Sequence, residues 1–400
     1  MHSNHVNILL IKLRHHGDVL LTTPVARVLK EKFPMSQIDL LVYEGTEPLI
    51  KNNPDLHHIW SWNRELRGWK SIASHLHVFL QMKKQHYDWV LHLSDQMQGA
   101  LIAKFLARQG AIGIDYPRRQ DIFWRSCFTN LVPLFPSNTH HTVEQNLAVL
   151  APFGLHPVKS DVCCRLEIHH EDRKCVENLL EQHTIKKPYL VVHPTARWAF
   201  KCWEEDRFAE VIQHFANQGW PIILTASPNK EEMALVDAIL DFLQNSTSGA
   251  NCGVASTFAS SSANYTLSRC ASEAPETSSP EASLERSLLK KKSSPQIISL
   301  AGQLTLGELS ALIAGSRLFL GVDSVPMHIA AALKKDTVAL FGPSKLKEWH
   351  PWQTRYRLID ARDYGSLLDP DAVNTATAER YLKNIPVAPV IQAVEELLHS

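Results

Sequence analysis

The chain has 400 residues, of which 44% are hydrophobic and 20% charged, and its formal net charge at pH 7 is +0. The length favours two domains, and the balanced charge argues against nucleic-acid binding through bulk electrostatics. Seven cysteines without CxxC spacing, and first residues without the layout of a signal peptide, predict a cytoplasmic protein with free thiols. No uncharged apolar run approaches the roughly 18–20 residues of a membrane-spanning helix, so we expect any membrane attachment to be peripheral.

Both halves of the chain alternate short aliphatic runs with amphipathic segments, which is typical of parallel α/β sheets. In the first half we predict strands at 6–13, 38–43, 89–93 and 112–114, and helices at 18–33, 69–86, 99–108, 142–153 and 171–183. In the second half we predict strands at 189–193, 221–226, 297–300, 318–321 and 337–341, and helices at 204–218, 230–243, 305–314 and after Ser324. The repeated order predicts two doubly wound α/β domains facing across a cleft.

The predicted domains are residues 1–185 and 186–386, joined by a Lys-Lys-Pro hinge at 186–188. We expect an amphipathic helix at 387–399 to pack back on the first domain. Residues 245–295 are rich in Ser, Ala, Thr and Glu and cannot bury much surface. We interpret this segment as a largely disordered insertion in the second domain, with a lid over the site as the alternative.

The first polar turn, Arg14-His15-His16-Gly17-Asp18, follows the first predicted strand. Asp18 stands at the start of the next helix, where capping is a common role for an aspartate. The alternative is a general base at the mouth of the sheet. No GxGxxG follows the strand, which disfavours a nicotinamide dehydrogenase.

A second polar turn, at 193–203, follows the first strand of the second domain. Thr195 can donate a hydroxyl proton to a phosphate, and Arg197 and Lys201 can neutralise a diphosphate. Anions bind at such carboxyl ends of strands in open α/β sheets. A solvated loop, with its tryptophans covering the sheet edge, fits this stretch equally well.

A third polar turn places Asp323, Ser324 and His328 at the start of a helix with Pro326 in its first turn. Ser324 can cap this helix, whose N-terminus would attract a phosphate. Asp323 can accept hydrogen bonds from a ribose or cap the helix, and His328 can contact a phosphate or fill a helix interface. No His, Cys or carboxylate cluster has the spacing of a metal site.

Basic and aromatic residues also alternate between positions 104 and 125. They are Lys104, Arg108, Tyr116, Arg118, Arg119, Phe123, Trp124 and Arg125. A solvated basic face is the commoner explanation of such a charge run. The alternative is a docking surface for a phosphorylated acceptor or for anionic headgroups.

Together these stretches resemble the lipopolysaccharide heptosyltransferases of glycosyltransferase family 9, and within it the core heptosyltransferase III type. The similar motifs are KLRHHGDVLLTTPVARVLK at 12–30, HPTARWAFKCW at 193–203, and LFLGVDSVPMHIAAA with LFGPSKLKEWHPW within 318–352. Pro326-Met327 in the third turn and the insertion at 245–295 depart from the family pattern.

The resemblance implies a GT-B fold, in which two Rossmann-like domains face each other across the active-site cleft. It implies an acceptor site in the first domain, with Arg14, His15, Arg118 and Arg119 as candidates, and Asp18 as the catalytic base. It implies a nucleotide-sugar site in the second domain, with Lys201 also acting in catalysis. The donor-site residues matched by motif are Thr195, Arg197, Lys201, Asp323, Ser324, Val325 and His328.

The implied reaction is an inverting, metal-independent transfer of heptose from ADP-L-glycero-D-manno-heptose to a heptose of the lipopolysaccharide inner core, heptose III onto heptose II. No cofactor is implied. The implied partners are ADP-heptose, the inner-core acceptor and the cytoplasmic face of the inner membrane, without nucleic acid. On the residues alone, another GT-B transferase, a nucleotide-sugar epimerase and a non-catalytic nucleotide- or glycan-binding protein stay open as alternatives.

Overall fold

The computed structural model describes residues 5–158, 162–185, 188–248 and 296–399. Within these ranges the chain forms two six-stranded parallel sheets, each covered by helices. Most of the predicted insertion, residues 249–295, lies outside the described residues, as do positions 186 and 187 of the predicted hinge. The α/β architecture predicted from the alternating pattern is confirmed.

The first half builds one sheet. Its elements are β1 (Asn7–Lys12), α1 (His16–Leu20), α2 (Thr23–Lys32), β2 (Gln37–Tyr43), β3 (His58–Trp62), α3 (Gly68–Lys83), β4 (Trp89–His92), α4 (Met97–Leu106), β5 (Gly110–Asp115), α5 (Ile122–Arg125), β6 (Asn130–Pro133), α6 (Thr142–Leu147) and α7 (His170–Gln182). Single 3-10 turns lie at Glu47–Leu49 and Ala148–Phe153.

The second half builds the other sheet. Its elements are β7 (Leu190–His193), α8 (Glu205–Asn217), β8 (Ile222–Leu224), α9 (Lys230–Ser248), β9 (Ile297–Ser299), α10 (Leu306–Gly315), β10 (Leu318–Val322), α11 (Val325–Ala332), β11 (Asp336–Phe341), α12 (Leu346–Trp349), β12 (Tyr356–Asp360) and α13 (Val387–His399). Further 3-10 turns lie at Ala199–Lys201, Ala361–Tyr364 and Pro370–Ala372.

The strand order has the same form in both sheets. It is β3-β2-β1-β4-β5-β6 in the first and β12-β11-β10-β7-β8-β9 in the second. The winding direction reverses between β1 and β4, and again between β7 and β10. Ligands of open α/β sheets bind outside the carboxyl ends of strands at such reversals. The topology therefore directs attention to the four loops that follow β1, β4, β7 and β10.

The prediction of a single helix at 18–33 is wrong, because the segment forms α1 and α2 with a break between them. The hydroxyl of Thr22 donates to the carbonyl of Asp18 at 2.9 Å, and that of Thr23 donates to the carbonyl of Leu20 at 2.8 Å. Pro24 has no N–H to offer the Leu20 carbonyl, so a continuous helical ladder cannot form there.

The expected packing of the C-terminal helix is also wrong. Helix α13 packs on α8 and on the second sheet, not back on the first domain as predicted. Its buried stripe joins the core of the second half, and the Arg317 guanidinium donates to the carbonyl of Leu397 at 2.8 Å. Strands β3 and β12 and the short elements α5 and β6 were not predicted, because their sequences carry no clear period.

The two halves touch along one side of the cleft. The indole N–H of Trp352 donates to the carbonyl of Val162 at 2.8 Å, and His141 stacks on Trp352 with ring centroids 4.5 Å apart. Nε2 of His141 lies 2.9 Å from the carbonyl oxygen of His350. Helix α7, which precedes the predicted domain boundary, packs on α10 of the second half.

None of the helices within the described ranges has both the length and the apolar character needed to cross a bilayer.

The packing of α13 predicts a stability effect. Leu397 is fully buried, so Leu397→Ala should lower the free energy of unfolding by about 2–5 kcal/mol through lost burial and a residual cavity. Leu368→Ala, at a position 50% exposed, is the matched control and should change it by about 0.5 kcal/mol or less. Urea denaturation followed by circular dichroism measures both. Equal effects of the two substitutions would contradict the placement of α13.

Candidate active site

A buried ion pair joins the two loops at the reversal of the second sheet. Lys201, from the loop after β7, places Nζ 2.5 Å from Oδ2 of Asp323, which follows β10. The two side chains are 14% and 6% exposed. Burial pushes the pKa of Asp323 upward, but the charge and hydrogen bond of Lys201 outweigh it, so the net pKa is lowered. The carboxyl group of Asp323 is therefore held in its charged form.

The hydroxyl of Thr195 does not face the cleft. Thr195 is fully buried, and its Oγ1 donates to Oε2 of Glu232 at 2.6 Å. The same oxygen lies 3.3 Å from Nε2 of His193, whose Nδ1 is 2.9 Å from the hydroxyl of Thr225. In this arrangement the hydroxyl proton is already used, so the expected donation from Thr195 to a diphosphate is not available.

Arg197 reaches across the cleft from the same loop. Its Nη1 lies 3.3 Å from Nδ1 and 3.4 Å from Nε2 of His15, which belongs to the first half. Burial first, and the Arg197 charge second, lower the pKa of His15, so its ring is neutral near pH 7 beside the guanidinium. Two residues predicted in different subsites, one for acceptor and one for donor, therefore meet at the mouth of the cleft.

The N-terminus of α11 is open to a ligand. Ser324 occupies the N-cap position, but its hydroxyl donates to the carbonyl of Val322 at 3.2 Å and makes no side-chain cap bond. The capping role predicted for Ser324 is therefore wrong. The N–H groups of the first turn of α11, beginning at Val325, have no side-chain acceptor at the cap, and an anion can take that place.

His328 lies at a close contact between the two halves. A Cβ built on Gly17 of α1 would be 3.2 Å from Cδ2 of His328, so a glycine lets α1 come close to α11. Burial lowers the pKa of His328 to about 4, although Asp323 and then Asp18 oppose this shift. Both carboxylates therefore act on one neutral imidazole, and its Nδ1 has no hydrogen-bond partner in the described structure.

Asp18 is not the N-cap of its helix. His15 holds that position, and Asp18 lies within the first turn of α1, partly exposed and without a side-chain hydrogen bond among the described residues. Its carboxylate also acts on Lys12, whose pKa is lowered to about 8 by burial despite this attraction. The side chain does not enter the packed interior, and it lies beside the contact between Gly17 and His328. Of its two predicted roles, the structure rules out capping.

Three predicted acceptor residues converge on one aspartate that the sequence did not single out. Asp95, from the loop after β4, binds Arg14 at 2.5 Å through Oδ1 and Arg118 through Oδ2. Nε of Arg119 donates to the backbone carbonyl of Asp95 at 3.0 Å. Asp95 is buried, whereas the side chain of Arg118 is 65% exposed. The Asp95 carboxylate thus holds two guanidinium groups, and its backbone carbonyl holds a third, at the reversal of the first sheet near Asp18.

The sequence contained a signal for Asp95. Leu93-Ser94-Asp95 follows β4 in the way that Asp323-Ser324 follows β10, as polar residues immediately after a buried strand. Glu232 gave no comparable signal, because it lies in the first turn of α9, where acidic residues are common. In the part of the chain that the structure describes, no three His, Cys, Asp or Glu side chains are grouped to hold a metal ion.

The buried pair predicts a pH-dependent stability effect. Asp323→Asn leaves Lys201 charged and buried without a partner and should lower the free energy of unfolding at pH 7 by about 3–5 kcal/mol. Because the folded-state pKa of Asp323 is lowered, the contribution is present above the ordinary aspartate pKa of about 3.9 and is lost as the pH falls below it. The difference in the free energy of unfolding between variant and wild type should become smaller only at acid pH. Denaturant midpoints measured across the pH range test this.

The control for this prediction is Asp371→Asn, which breaks an ion pair with Lys345 in which the Asp371 side chain is 69% exposed. We expect a loss of about 1 kcal/mol or less at pH 7. An Asp323→Asn protein as stable as wild type at pH 7 would refute the structural role of the pair.

The sequence is similar to those of known proteins. The chain matches the model of glycosyltransferase family 9 (heptosyltransferase) over residues 76–257 and 275–376. It is 32% identical over 389 residues to a lipopolysaccharide heptosyltransferase 3 of Escherichia coli, covering 97% of this chain and 98% of that protein. It is 31% identical to a protein of the same name from Escherichia coli strain K12, covering 96% of each chain.

Solved structures show the same fold. The glycosyl transferase family 9 structure from Veillonella parvula superposes with a TM-score of 0.73 at 20% identity, covering 99% of both chains. The ADP-heptose lps heptosyltransferase II of E. coli gives a TM-score of 0.67 at 18% identity, covering 98% of this chain and 99% of that one. The predicted GT-B fold is confirmed. The chain therefore belongs to glycosyltransferase family 9 and is a glycosyltransferase, not an epimerase or a non-catalytic binding protein.

Proposed function

We propose that this protein transfers heptose from ADP-L-glycero-D-manno-heptose to a heptose of the lipopolysaccharide inner core, placing heptose III on heptose II with inversion and without a metal. One observation carries the proposal. The partly exposed carboxylate of Asp18 lies beside the Gly17–His328 contact, on the opposite side of the cleft from the Lys201–Asp323 pair. The names of the two relatives that are about one third identical support the choice of sugar and acceptor.

The donor's diphosphate would lie at the carboxyl edge of the second sheet. The N-terminus of α11 offers open N–H groups and a partial positive charge. Lys201 pairs with Asp323, which directly precedes the N-cap of that helix, and Arg197 adds a second cation at the cleft mouth. Together they would stabilise the negative charge that grows on the leaving ADP, which is the task that a metal ion performs in other transferases.

Asp18 would act as the general base. Its carboxylate takes the proton of an acceptor hydroxyl, and the hydroxyl oxygen then forms a bond to the anomeric carbon of the donor. The bond from that carbon to the diphosphate breaks, and ADP leaves on the opposite face. A single displacement of this kind inverts the anomeric configuration. Because the carboxylate of Asp18 has no hydrogen-bond partner among the described residues, its oxygens are open to an incoming hydroxyl.

The acceptor would lie against the first half. Arg14, Arg118 and Arg119 are held by Asp95, and their remaining N–H groups can bind anionic or hydroxyl groups of an inner-core oligosaccharide. Such an acceptor is anchored in the cytoplasmic leaflet of the inner membrane during its synthesis. We therefore place the protein in the cytoplasm, peripheral to that membrane.

The test of the function is product mass. The protein is incubated with ADP-heptose and with inner-core acceptors truncated before heptose III, and the products are weighed by mass spectrometry. We expect a gain of one heptose on the acceptor that ends in heptose II, with release of ADP and with undiminished turnover in a chelator. Transfer from UDP-sugars instead, or no transfer at all, would overturn the proposal.

The base assignment predicts that Asp18→Asn lowers kcat at least about 10²-fold while ADP-heptose still binds, since proton removal fails but the donor site is intact. Single-turnover kinetics and calorimetry measure the two quantities. Asp241→Asn, an exposed carboxylate on α9, is the control and should behave as wild type. Near-normal turnover in Asp18→Asn would show that another group accepts the proton.

The acceptor assignment predicts that Arg118→Ala raises KM for a deacylated acceptor about 10-fold and leaves KM for ADP-heptose unchanged, because a charge-assisted contact is lost on one side of the cleft only. Arg125→Ala is the control, since Arg125 pairs with Asp115 at 3.0 Å, away from Asp95. A change in KM for ADP-heptose instead would show that Arg118 does not belong to the acceptor site.

A further inference from the structure

Helix α3 carries two apolar stripes on different sides. The inner stripe, which includes Met82, packs on the first sheet. The outer stripe consists of Trp69, Ile72, Leu76 and Leu80, which are 74%, 70%, 53% and 48% exposed. Their spacing of three or four residues places all four side chains on one solvent-facing side of the helix. Single exposed apolar residues are ordinary, but a stripe of four marks an interaction surface.

The apolar surface continues onto the two helices that follow. Helix α4 contacts α3 and exposes Phe105, and α5 exposes Ile122 and Phe123. Lys104 joins α4 to α5, since its Nζ lies 5.5 Å from the centroid of Phe123 and donates to the hydroxyl of Ser126 at 3.0 Å. Seven of the twelve large exposed hydrophobic residues found among the described positions lie on α3, α4 and α5. We call this surface the α3–α5 face.

The charge around the face has one sign. Residues 66–87 and 97–114 contain no Asp or Glu. The exposed cations in these stretches that have no carboxylate partner among the described residues are Arg67, Lys70, Lys83, Lys84, Lys104 and Arg108. Lys70 and Lys84 are separated by four helical turns and lie on one flank of the outer apolar stripe.

The acids nearest to the face are used within the protein or stand among arginines. Asp88 accepts from the backbone N–H of Asn7 at 3.0 Å, and Asp115 binds Arg125. Asp121 caps α5. Glu65 precedes α3 between two exposed arginines at positions 64 and 67. The field that a partner meets at the α3–α5 face is therefore positive.

We propose that the α3–α5 face docks on an anionic phospholipid bilayer, with its apolar side chains in the interfacial region and its lysines against the headgroups. A helix with tryptophan and leucine on one side and lysine on the flank lies in the plane of such an interface. A second copy of the chain fits less well, because a two-fold interface would bring the same unpaired cations together. The anionic surface satisfies both the apolar stripe and the charge.

Docking in this way would orient the site. Parallel strands all end at one edge of their sheet, so α3, which follows β3, begins at the edge that carries Arg14 and Asp18. Trp69 lies in the first turn of α3. The bilayer would then lie beside the acceptor side of the cleft. This inference deepens the peripheral membrane placement proposed above by naming the surface that makes it, and it does not depend on the identity of the sugar.

The test is sedimentation of the full chain with vesicles that contain no lipopolysaccharide. We expect binding to vesicles of phosphatidylcholine mixed with phosphatidylglycerol, weakening as salt is raised, and little binding to phosphatidylcholine alone. Combining Trp69→Gln, Ile72→Gln and Leu76→Gln should lower the partition coefficient at least about 100-fold. Combining Lys70→Gln and Lys84→Gln should lower it about five-fold per charge.

The matched control combines Met35→Gln, Val158→Gln and Leu368→Gln, three exposed apolar residues elsewhere, and should bind as wild type. Thermal unfolding checks that all variants are folded. Absence of binding by wild type, equal binding to both vesicle types, or wild-type binding by the apolar variant would each overturn the proposal. So would a concentration-dependent dimer that the apolar variant abolishes without any vesicle binding. Because these vesicles carry no sugar acceptor, a failure of heptose transfer leaves this result unaffected.

Discussion

The ion pair between Lys201 and Asp323 is the contact on which the site depends. Each residue follows a strand that flanks the reversal of the second sheet, and burial of both charges is tolerable only while they stay paired. The pair therefore fixes two loops relative to each other and to the N-terminus of α11. Arg14 and Asp95 repeat the device at the reversal of the first sheet. Two sheets with the same winding thus place a cation–carboxylate pair at corresponding points.

The two ion pairs differ in the solvent exposure of their side chains. In the second half both partners are largely buried, which suits a cradle for a diphosphate whose charge must be met without rearrangement. In the first half only the carboxylate is buried, and Arg14 and Arg118 remain partly exposed. Half-exposed guanidinium groups can adapt to a large, hydrated oligosaccharide. The difference in burial therefore fits a rigid donor side and an adaptable acceptor side.

Contact between the halves depends on the size of the side chains at the contact as much as on charge. Gly17 lets α1 approach α11, and any larger residue would require His328 to move by a few tenths of an ångström. His15 and Arg197 meet at the rim of the same gap, while His141 and Trp352 close one side of it. These contacts join residues that are between about 180 and about 310 positions apart in the sequence. Their geometry brings Asp18 to the cleft, although its carboxylate has no hydrogen-bond partner among the described residues.

The sequence alone determined the alternation of strands and helices, because buried parallel strands are continuous aliphatic runs and polar turns end them, as at Asp18, Lys201 and Asp323. It also predicted that the turns at Asp18, Lys201 and Asp323 form the site, and it did not single out the turn at Asp95. Only the tertiary structure decided that the Thr195 hydroxyl donates to Glu232, that Asp95 binds the arginines, and that α13 packs on the second sheet. These outcomes depend on partners distant in sequence, and local pattern carries no information about which distant groups become neighbours.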